Sequence, residues 1–521
     1  MTDTLAPPFH APVDDILFSL KHIARADRLA DWDGELARDV ISHFASFAEE
    51  RIAPLNARGD VEGCRLEGVR VKMPAGFAAV YRELAEQGWQ GIAAPEAHGG
   101  QNLSHAILGS ICEIFAGANH SFQMVAGLVH GAISTLMRFS TEEQQQRLIP
   151  PLVDGRWLAT MALTEPGSGS DLSGIRTRAM RDGDNWRIHG EKIFISGGDQ
   201  DMSEGILHLV LARTGSMEEG SRGLSLFACL SHMPNGPRNK LSVTRIEEKL
   251  GLHASPTCQL AFDGATAELV GEEGMGLKAI FALMNHARLD VALQGVAHAA
   301  RGADLARHYA AERLQGRERS GKPVAIDQHA DVARMIEDAD AWAVGGRALV
   351  HLSMVEGGLP GGEVFLSFMT PICKWLCTEG GIRAADLAIQ VMGGYGYLKE
   401  YGAEQNWRDA RICAIYEGTN GIHALTNATR SLRRDGGAGA AAFAAFLRES
   451  GAELQHDAAR WEAEALRIVS MTDPAEEAHD FMRLTATAAW RAVWARISKS
   501  VETTENVRYV GLVKHAASMS L

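Results

Sequence analysis

The run Thr164-Glu-Pro-Gly-Ser-Gly-Ser-Asp171 divides the chain into two parts of different texture. Before it, several apolar residues recur at the spacing that places them on one helix face: Leu36, Val40, Phe44 and Phe47. After it, to about Val270, apolar residues come in short runs separated by turns, for example at 207–211 and 224–230. The sequence therefore predicts a helical region followed by a region of strands and turns.

A second helical region begins at Gly276 and continues to about Ser431. Because the helical regions flank the strand region, an alternating β-α-β chain is not expected. We predict an α+β fold with an N-terminal helical domain at residues 1–160, a central β-sandwich or barrel at 161–278, a C-terminal helical domain at 279–431 and a helical extension at 432–521.

The extension follows a glycine-rich stretch, Arg433-Arg-Asp-Gly-Gly-Ala-Gly439, which is typical of a hinge. Within it, Asp473-Pro474 predicts a helix start, because proline is favoured at the first helical position. An apolar helix face follows: Trp490, Val493, Trp494 and Ile497. We expect the extension to fold and to pack on the second helical region or on another subunit.

Composition limits the class of protein. Of 521 residues, 46% are apolar and 22% are charged, which excludes a wholly disordered chain, a fibrous repeat and a disulfide scaffold. The length predicts about three or four domains, or one large fold with extensions. A net charge of −14 argues against general binding to nucleic acid, which requires a basic face.

The seven cysteines are scattered and odd in number, which favours a reducing compartment. Cys373 and Cys377 lie four residues apart, but no second pair or nearby histidine completes a zinc set, so we predict buried thiols and no metal. Residues 1–20 lack the segments of a signal peptide, and no apolar run reaches the about 18 residues that span a bilayer. A cytoplasmic protein that does not bind membranes is expected.

Two motifs of the strand region are candidates for ligand binding. At 164–171, glycines and serines bring N–H groups and hydroxyls together, as a phosphate requires, although a tight turn has the same composition. Neither a Walker lysine nor a strand followed by GxGxxG is present, which argues against P-loop and Rossmann sites. At 192–198, strand alternation places Phe194 and Ser196 on one face. There they could line a flat ring such as an isoalloxazine. The alternative is that Phe194 belongs to the core and Ser196 to a turn.

Two helical runs carry polar residues with the same ambiguity. Asn285 and Arg288 are three residues apart, so they share a face that either grips a polar ligand or is solvated. Arg408, Asp409 and Arg411 predict a charged, solvated face.

Glu417 is the candidate general base. It follows Ala414, Ile415 and Tyr416 and precedes Gly418. Apolar neighbours raise the pKa of a carboxyl, which suits a base that works near neutrality. A surface glutamate at a helix junction is the alternative.

Four runs, in this order, resemble the acyl-CoA dehydrogenase family: Met161-Ala-Leu-Thr-Glu-Pro-Gly-Ser-Gly-Ser-Asp171, Gly190-Glu-Lys-Ile-Phe-Ile-Ser-Gly-Gly198, Gln390-Val-Met-Gly-Gly-Tyr-Gly396, and Arg408-Asp-Ala-Arg411 leading to Tyr416-Glu-Gly-Thr419. The resemblance covers roughly residues 35 to 430 and implies a C-terminal four-helix bundle after the β domain. The additions at both ends, with the run at 247–257, look most like the bacterial branch that includes 3-methylmercaptopropionyl-CoA dehydrogenases.

The resemblance implies a reaction and its partners. Glu417 matches the base that removes the α-proton of an acyl-CoA thioester, while the N5 atom of FAD takes the β-hydrogen as hydride to give a trans-2-enoyl-CoA. Hydrogen bonds from the Glu417 N–H and the FAD ribityl chain to the thioester carbonyl stabilise the enolate-like charge. An electron-transfer flavoprotein is implied as electron acceptor, and a homodimer or a dimer of dimers as the assembly.

The resemblance also assigns binding positions. Those for FAD, some contributed by a neighbouring subunit, are Leu163, Thr164, Ser170, Phe194, Ile195, Ser196, Arg313, Gln390, Gly393, Gly394 and Thr419. Those for the substrate are Ser170, Asn285, Arg288 and Gly418.

Some positions depart from the family pattern. The run after Arg313 is longer, so Gln328 and His329 match one FAD-contacting position equally well. Asn285 stands where many members have an acid, and Gly421 stands where many have a glutamine. These differences concern the adenine end of FAD and the grip on CoA, and they do not affect the base.

Proteins of other function on the same fold are the alternatives: a flavin oxidase, a DNA-associated alkylation-response flavoprotein and a flavin-free paralogue. A nitroalkane oxidase would have aspartate at position 417, and a DNA-associated protein needs a basic tail, whereas basic and acidic residues alternate after Gly451. Thr164, Ser196 and Glu417 argue against the loss of flavin. The acyl chain stays open, because side chains of several helices set the depth of the pocket.

Overall fold

The structure is a computed structural model that describes residues 5–233, 236–504 and 507–519. The chain forms two compact units. The strand unit consists of Arg51–Ser104 and Asn119–Ala287, and the helical unit consists of Met1–Glu50, His105–Ala118 and Arg288–Leu521. The fold is α+β, as predicted, and the predicted boundaries at 160, 278 and 431 remain predictions.

The α-helices that precede the large sheet are α1 (Val13–Phe18), α2 (Gly34–Phe47), α3 (Asn56–Glu62), α4 (Phe77–Glu86), α5 (His105–Ala126), α6 (Leu128–Phe139), α7 (Glu142–Leu148) and α8 (Pro150–Val153). Those that follow it are α9 (Gly276–Glu312), α10 (Ala330–Gly358), α11 (Glu363–Met392), α12 (Ala403–Ala410), α13 (Asn420–Thr426), α14 (Ala438–Ser450), α15 (Gln455–Ser470), α16 (Ala478–Thr504) and α17 (Val507–Ser518). Among the described residues, no helix is both long and apolar enough to cross a bilayer.

The strands are β1 (Arg65–Glu67), β2 (Arg70–Lys72), β3 (Trp157–Ala162), β4 (Arg178–Asp182), β5 (Asn185–Ser196), β6 (Gly205–Arg213), β7 (Leu224–Leu230), β8 (Leu241–Ile246), β9 (Thr257–Val270), β10 (Leu314–Arg317) and β11 (Pro323–Ala325). In the large sheet, β6, β4, β5, β9 and β7 are neighbours in that order, and β7 pairs with β6 again, which closes a ring. β3 adds to β6 in parallel, and β8 adds to β9. This closed sheet is a barrel, one of the two architectures, sandwich or barrel, that the short apolar runs predict.

Alternating side chains fill the inside of the closed sheet. Ile188, Val210, Phe227, Leu260 and Phe262 belong to one buried cluster. They come from four different strands, and each is accompanied along its strand by side chains that point the other way. The barrel therefore has its own core within the strand unit.

In the helical unit, α9 and α11 approach closely because both carry glycine where they meet. A Cβ placed on Gly295 would lie 2.4 Å from the carbonyl oxygen of Cys377, and one on Gly381 would lie 2.4 Å from that of Gly295. Larger side chains at either position would force these helices apart. The contact places residues of α9 next to residues of α11, and both helices contribute to the candidate active site.

The extension folds against the helical domain of its own chain. Trp490 and Trp494 of α16 pack over Gly345 of α10, and the ring centroids of Trp342 and Trp490 are 4.9 Å apart. The predicted apolar face is thus confirmed. The predicted helix start at Pro474 is wrong: Asp473 Oδ1 accepts the N–H of Ala475, which holds a turn there, and α16 begins at Ala478.

Replacing Gly345 with alanine should destabilise the helical unit. The added Cβ would lie 2.6 Å from Cζ3 of Trp490 and 2.7 Å from Nε1 of Trp494, so two rigid rings would have to move. Overpacking of this kind costs about 1–3 kcal/mol. A denaturation curve followed by tryptophan fluorescence should therefore shift to lower denaturant. Gly511→Ala is the matched control, because a Cβ there meets no atom within 4 Å; equal shifts for the two variants would contradict the packing described.

Candidate active site

Glu417 lies in a strained turn of the helical unit, directly before α13. Its φ is +53° and that of Gly418 is +90°, so two successive residues have left-handed backbone. Such a conformation is rare for residues other than glycine. Among the described residues, the non-glycine residues with positive φ are Arg25, Asn102, Phe194, Leu252, Glu417 and Asp435. Two of them, Glu417 and Phe194, are sites assigned by sequence.

The carboxylate of Glu417 is a buried acceptor without a donor. Its Oε2 atom is inaccessible to solvent and has no hydrogen-bond partner among the described residues. Burial raises the pKa of Glu417 to about 7; the positive charges of Arg288 and Lys374 lower it, and the negative charge of Asp290 adds to the rise. The alternative of a surface glutamate therefore does not hold, and the group is poised to exchange a proton near neutrality.

Donors from three helices hold the backbone beside this carboxylate. Arg288 Nε (α9) donates to the carbonyl oxygen of Glu417 at 3.2 Å, and His423 Nε2 (α13) lies 3.1 Å from the same oxygen. Lys374 Nζ (α11) donates to the carbonyl oxygen of Gly418 at 2.8 Å. Arg288 is thus half-buried against the turn, whereas Asn285, one helical turn earlier on α9, is exposed.

Sequence reasoning missed Lys374 and His423. Lys374 does carry a signal, because it is the single charged residue within the apolar run at 372–377, which marks a buried charge that needs partners. His423 has no such signal in its neighbourhood. The predicted solvated face at 408–411 is also wrong in part: Asp409 is buried, and Arg408 is half-buried in an ion pair with Glu404.

In the strand unit, the loop after β3 is tied to β5 by a buried ion pair. Lys192 Nζ donates at 2.8 Å to Glu165 Oε1 and at 2.8 Å to the carbonyl oxygen of Leu163. The N–H of Ile193 donates to the carbonyl oxygen of Thr164 at 2.9 Å. Leu163 and Thr164 are therefore fixed beside β5, while Ser170, farther along the loop, is exposed.

Phe194 projects from a bulge in β5. The pairing with β9 shifts between Lys192 and Ile195, and Phe194 has a φ of +59°. Its side chain is 60% exposed, whereas Ile195 is buried and Ser196 is half-buried. The alternative of a core phenylalanine is thus wrong. A strained, exposed aromatic ring is a feature typical of ligand sites.

Several other assigned positions meet at one cavity of the helical unit. It measures about 560 Å³ and its lining includes Arg313, Gly393, Gly394 and Tyr395. The guanidinium of Arg313 lies 5.5 Å from the centre of the Tyr395 ring. A Cβ on Gly393 or Gly394 would meet no atom within 4 Å, so the backbone at the end of α11 is open to a ligand. Gln390 is exposed on the last turn of the same helix.

The remaining assigned positions have local contacts. Thr419 caps α13, since its Oγ1 accepts the N–H of Ile422 at 3.3 Å, and Gly421 is exposed in the first turn. His329 Nε2 lies 2.8 Å from the carbonyl oxygen of Gln315, whereas Gln328 donates to the neighbouring Asp327. The structure therefore does not choose between Gln328 and His329 as a cofactor contact.

The two cysteines considered as metal ligands are buried, as predicted. Cys373 Sγ lies 3.3 Å from Ser353 Oγ, and Cys377 Sγ donates to the carbonyl oxygen of Gly346 at 3.7 Å. None of the seven cysteines forms a disulfide.

Comparisons with known proteins identify the family of the chain. Profiles of the N-terminal, middle and C-terminal domains of acyl-CoA dehydrogenase match residues 35–156, 160–265 and 274–432. The chain is 39% identical over 484 residues to 3-methylmercaptopropionyl-CoA dehydrogenase of Ruegeria pomeroyi, covering 88% of this chain and 82% of the relative.

Two solved structures extend the comparison to the fold. Butyryl-CoA dehydrogenase from Megasphaera elsdenii has a TM-score of 0.66 at 25% identity, and the match covers 77% of this chain and 98% of the other chain. Caenorhabditis elegans ACDH-11, in complex with C11-CoA, has a TM-score of 0.84 at 20% identity, and the match covers 99% of this chain and 92% of the other chain. The second likeness, in fold alone, includes the C-terminal extension.

Replacing Glu165 with glutamine should destabilise the strand unit, because Lys192 would be left buried without its counter-charge. Both side chains of the pair are almost wholly buried. Breaking such a pair typically costs about 3 kcal/mol or more. The measurement is the urea midpoint of unfolding. Glu83→Gln, which breaks the exposed pair with Arg51, is the matched control and should change stability by less than about 1 kcal/mol. Similar midpoints for both variants would show that the buried pair does not hold the loop.

Proposed function

The chain belongs to the acyl-CoA dehydrogenase family, and we propose that it catalyses the FAD-dependent α,β-dehydrogenation of an acyl-CoA thioester to the trans-2-enoyl-CoA, with Glu417 as the α-proton base. The observation that carries the proposal is the buried Oε2 of Glu417, which has no donor among the described residues and belongs to a carboxyl whose pKa is raised to about 7. A structural glutamate at such a position would have a partner.

Members of the family are flavoproteins, and the residues present fit FAD. The open backbone at Gly393 and Gly394 lets a ligand approach the end of α11, with the cation of Arg313 in the same cavity. Exposed Phe194, with Leu163, Thr164, Ile195 and Ser196 near it along β3 and β5, suits the flat face of a flavin. Bound FAD would supply the hydride acceptor.

The chain's own residues perform the proton transfer. Glu417 is ionised above about pH 7, and its Oε2, which accepts no hydrogen bond within the part of the chain that the structure describes, is available to take the α-proton. Because the thioester must become more acidic for this step, a hydrogen bond to its carbonyl is required, and we assign it to the backbone N–H of Glu417. Arg288 and His423 hold the carbonyl of that residue and so limit its movement. Ser170, Asn285, Arg288 and Gly418 remain proposed substrate contacts.

We further propose an electron-transfer flavoprotein as the electron acceptor, a homodimer or dimer of dimers as the assembly, and a cytoplasmic location. The absence of disulfides among the seven cysteines is consistent with a reducing compartment. The acyl group is open, and the acyl groups in the names of two similar proteins define the first panel: 3-methylmercaptopropionyl-CoA and butyryl-CoA. C11-CoA adds a longer chain to the panel.

The decisive experiment adds this panel to the FAD-bound protein without oxygen. At least one acyl-CoA should bleach the visible band of oxidised flavin, and Glu417→Gln should abolish the bleaching, because the amide cannot accept a proton, while FAD stays bound. Glu363→Gln, an exposed glutamate on α11, is the matched control and should bleach normally. Bleaching that survives in Glu417→Gln would remove Glu417 as the base. Rapid reoxidation of the bleached flavin by oxygen would favour the flavin oxidase alternative.

The decrease of kcat/KM toward low pH, which is the acid limb of the pH profile, should report the ionisation of Glu417. Its pKa is raised to about 7, so activity is present above that pH and falls about tenfold per pH unit below it. Asp290 contributes to this rise through its negative charge, although burial raises its own pKa to about 7, so that it is only partly charged in this range. Asp290→Asn should therefore move the limb to lower pH by a small amount. The measurement is kcat/KM from pH 5 to 9 for both proteins. A limb near pH 4.5, the ordinary value for glutamate, would contradict the buried environment.

A further inference from the structure

Lys374 is a charged side chain that the structure buries completely. Its Nζ atom donates to the carbonyl oxygen of Gly418 at 2.8 Å and to Oδ1 of Asn420 at 2.9 Å. An ammonium group is costly to bury without acceptors. Both acceptors lie within three residues after Glu417, so the burial of this lysine depends on the turn that carries the proposed base.

The contact continues into a small network on α11. Asn420 Nδ2 donates to Thr378 Oγ1 at 3.0 Å and to Glu379 Oε1 at 2.7 Å. Thr378 lies one helical turn after Lys374, so a single helix grips the first residue of α13 at several points. This grip fixes the chain immediately on the far side of the turn.

The turn requires such support because it is strained. Glu417 and Gly418 both have positive φ, and a conformation of that kind persists only where the surroundings determine it. Arg288 and His423 bond to the first carbonyl of the turn, that of Glu417. Lys374 bonds to the second, that of Gly418.

We propose that Lys374 is a positioning residue, which holds the Gly418 carbonyl and Asn420 so that the carboxylate of Glu417 keeps its place, and which presents a fixed positive charge to that carboxylate. The inference rests on the function proposed above, since it concerns the same base. It goes beyond that function because it assigns Lys374 a role that acts through the turn carrying the base.

Because charged groups surround the turn, the proposal predicts a change in the pH dependence of activity. Burial lowers the pKa of Lys374 to about 8, and nearby Cys413 and Glu417 oppose the decrease, so the ammonium persists at neutral pH. In turn, Lys374 lowers the raised pKa of Glu417. Within the described ranges of the chain, the other titratable or charged groups that act on these two residues are Arg288, Asp290, Glu379, Cys413, Tyr416 and His423. A lysine with a merely structural role would change stability without moving the pH profile.

The test uses the FAD-bound protein and Lys374→Gln, whose amide still reaches toward the Gly418 carbonyl but carries no charge. We expect anaerobic flavin reduction at pH 7 to slow about 10- to 100-fold, the effect of a displaced catalytic group. The acid limb should move to higher pH, with about threefold less activity on that limb for each half pH unit of movement. FAD content should be unchanged, and amide hydrogen exchange at 415–420 should become faster.

Two further variants separate position from charge. Thr378→Val removes the hydroxyl that steadies Asn420 but no charge, so it should slow reduction by less than tenfold and leave the acid limb in place. Lys499→Gln is the matched control: Lys499 Nζ also donates to a backbone carbonyl, that of Ser450 at 2.6 Å, but in the extension. It should leave the rate, the limb and the exchange at 415–420 unchanged.

The outcomes distinguish the inference from the proposed function. Wild-type protein that is reduced by an acyl-CoA, together with Lys374→Gln of unchanged rate and unchanged acid limb, overturns the inference alone. Wild-type protein that no acyl-CoA reduces overturns both. If Lys374→Gln does not fold, Thr378→Val decides: slower reduction with faster exchange at 415–420 supports the role, and wild-type values for both overturn it.

Discussion

The candidate site of the helical unit depends on one constraint, which is the left-handed backbone turn at Glu417 and Gly418. A residue other than glycine with positive φ is disfavoured by about 1–3 kcal/mol, so the turn exists only because its surroundings impose it. Donors from α9, α11 and α13 reach the two carbonyls of the turn. The close approach of α9 and α11 at Gly295 and Gly381 brings two of these helices near enough to act together.

The strand unit contains a second strained residue that is imposed in a different way. Phe194 has positive φ at a bulge in β5, where the extra residue cannot follow the ladder to β9. The buried pair of Lys192 and Glu165 anchors the strand just before the bulge. Glu165 also accepts the N–H groups of Arg176 and Thr177, so one carboxylate joins three segments. Strain and exposure coincide at Phe194, as they do where a protein positions an aromatic ring for a ligand.

The sequence predicts the elements of this fold better than its contacts. Apolar spacing identifies the strands of the barrel and the tryptophan face of α16, because periodicity depends only on neighbours along the chain. Pro474 misleads because Asp473 offers its carboxylate to the N–H of Ala475, and this local competition delays the helix to Ala478. Asp409 is buried although its neighbours are charged, because the packing of α12, which local composition does not encode, decides its exposure.

The same holds for the candidate site: the sequence predicts some of its residues, whereas their contacts depend on the fold. The resemblance locates Glu417, Phe194 and the glycines at 393 and 394, whereas the local sequence around Glu417 and Phe194 leaves a structural alternative open until the fold is known. Positive φ at Phe194 and Glu417 has no sequence signature, because neither residue type favours it. His423 likewise reaches the Glu417 carbonyl only through the path of the chain after the turn. Tertiary placement, not composition, makes these residues a site.

The choice of hydrogen-bond acceptors explains how cations can lie near the proposed base without lowering its pKa below the neutral range. A guanidinium bonded directly to a carboxylate lowers its pKa by about 1–3 pH units and would leave a weak base. Here Arg288 donates to the carbonyl oxygen of residue 417 and Lys374 donates to that of residue 418 and to Asn420 Oδ1, while Oε2 of Glu417 accepts no hydrogen bond from the described residues. The cations therefore fix the backbone and act on the carboxylate only through space. Burial can then outweigh them, and the carboxyl remains a proton acceptor matched to neutral pH.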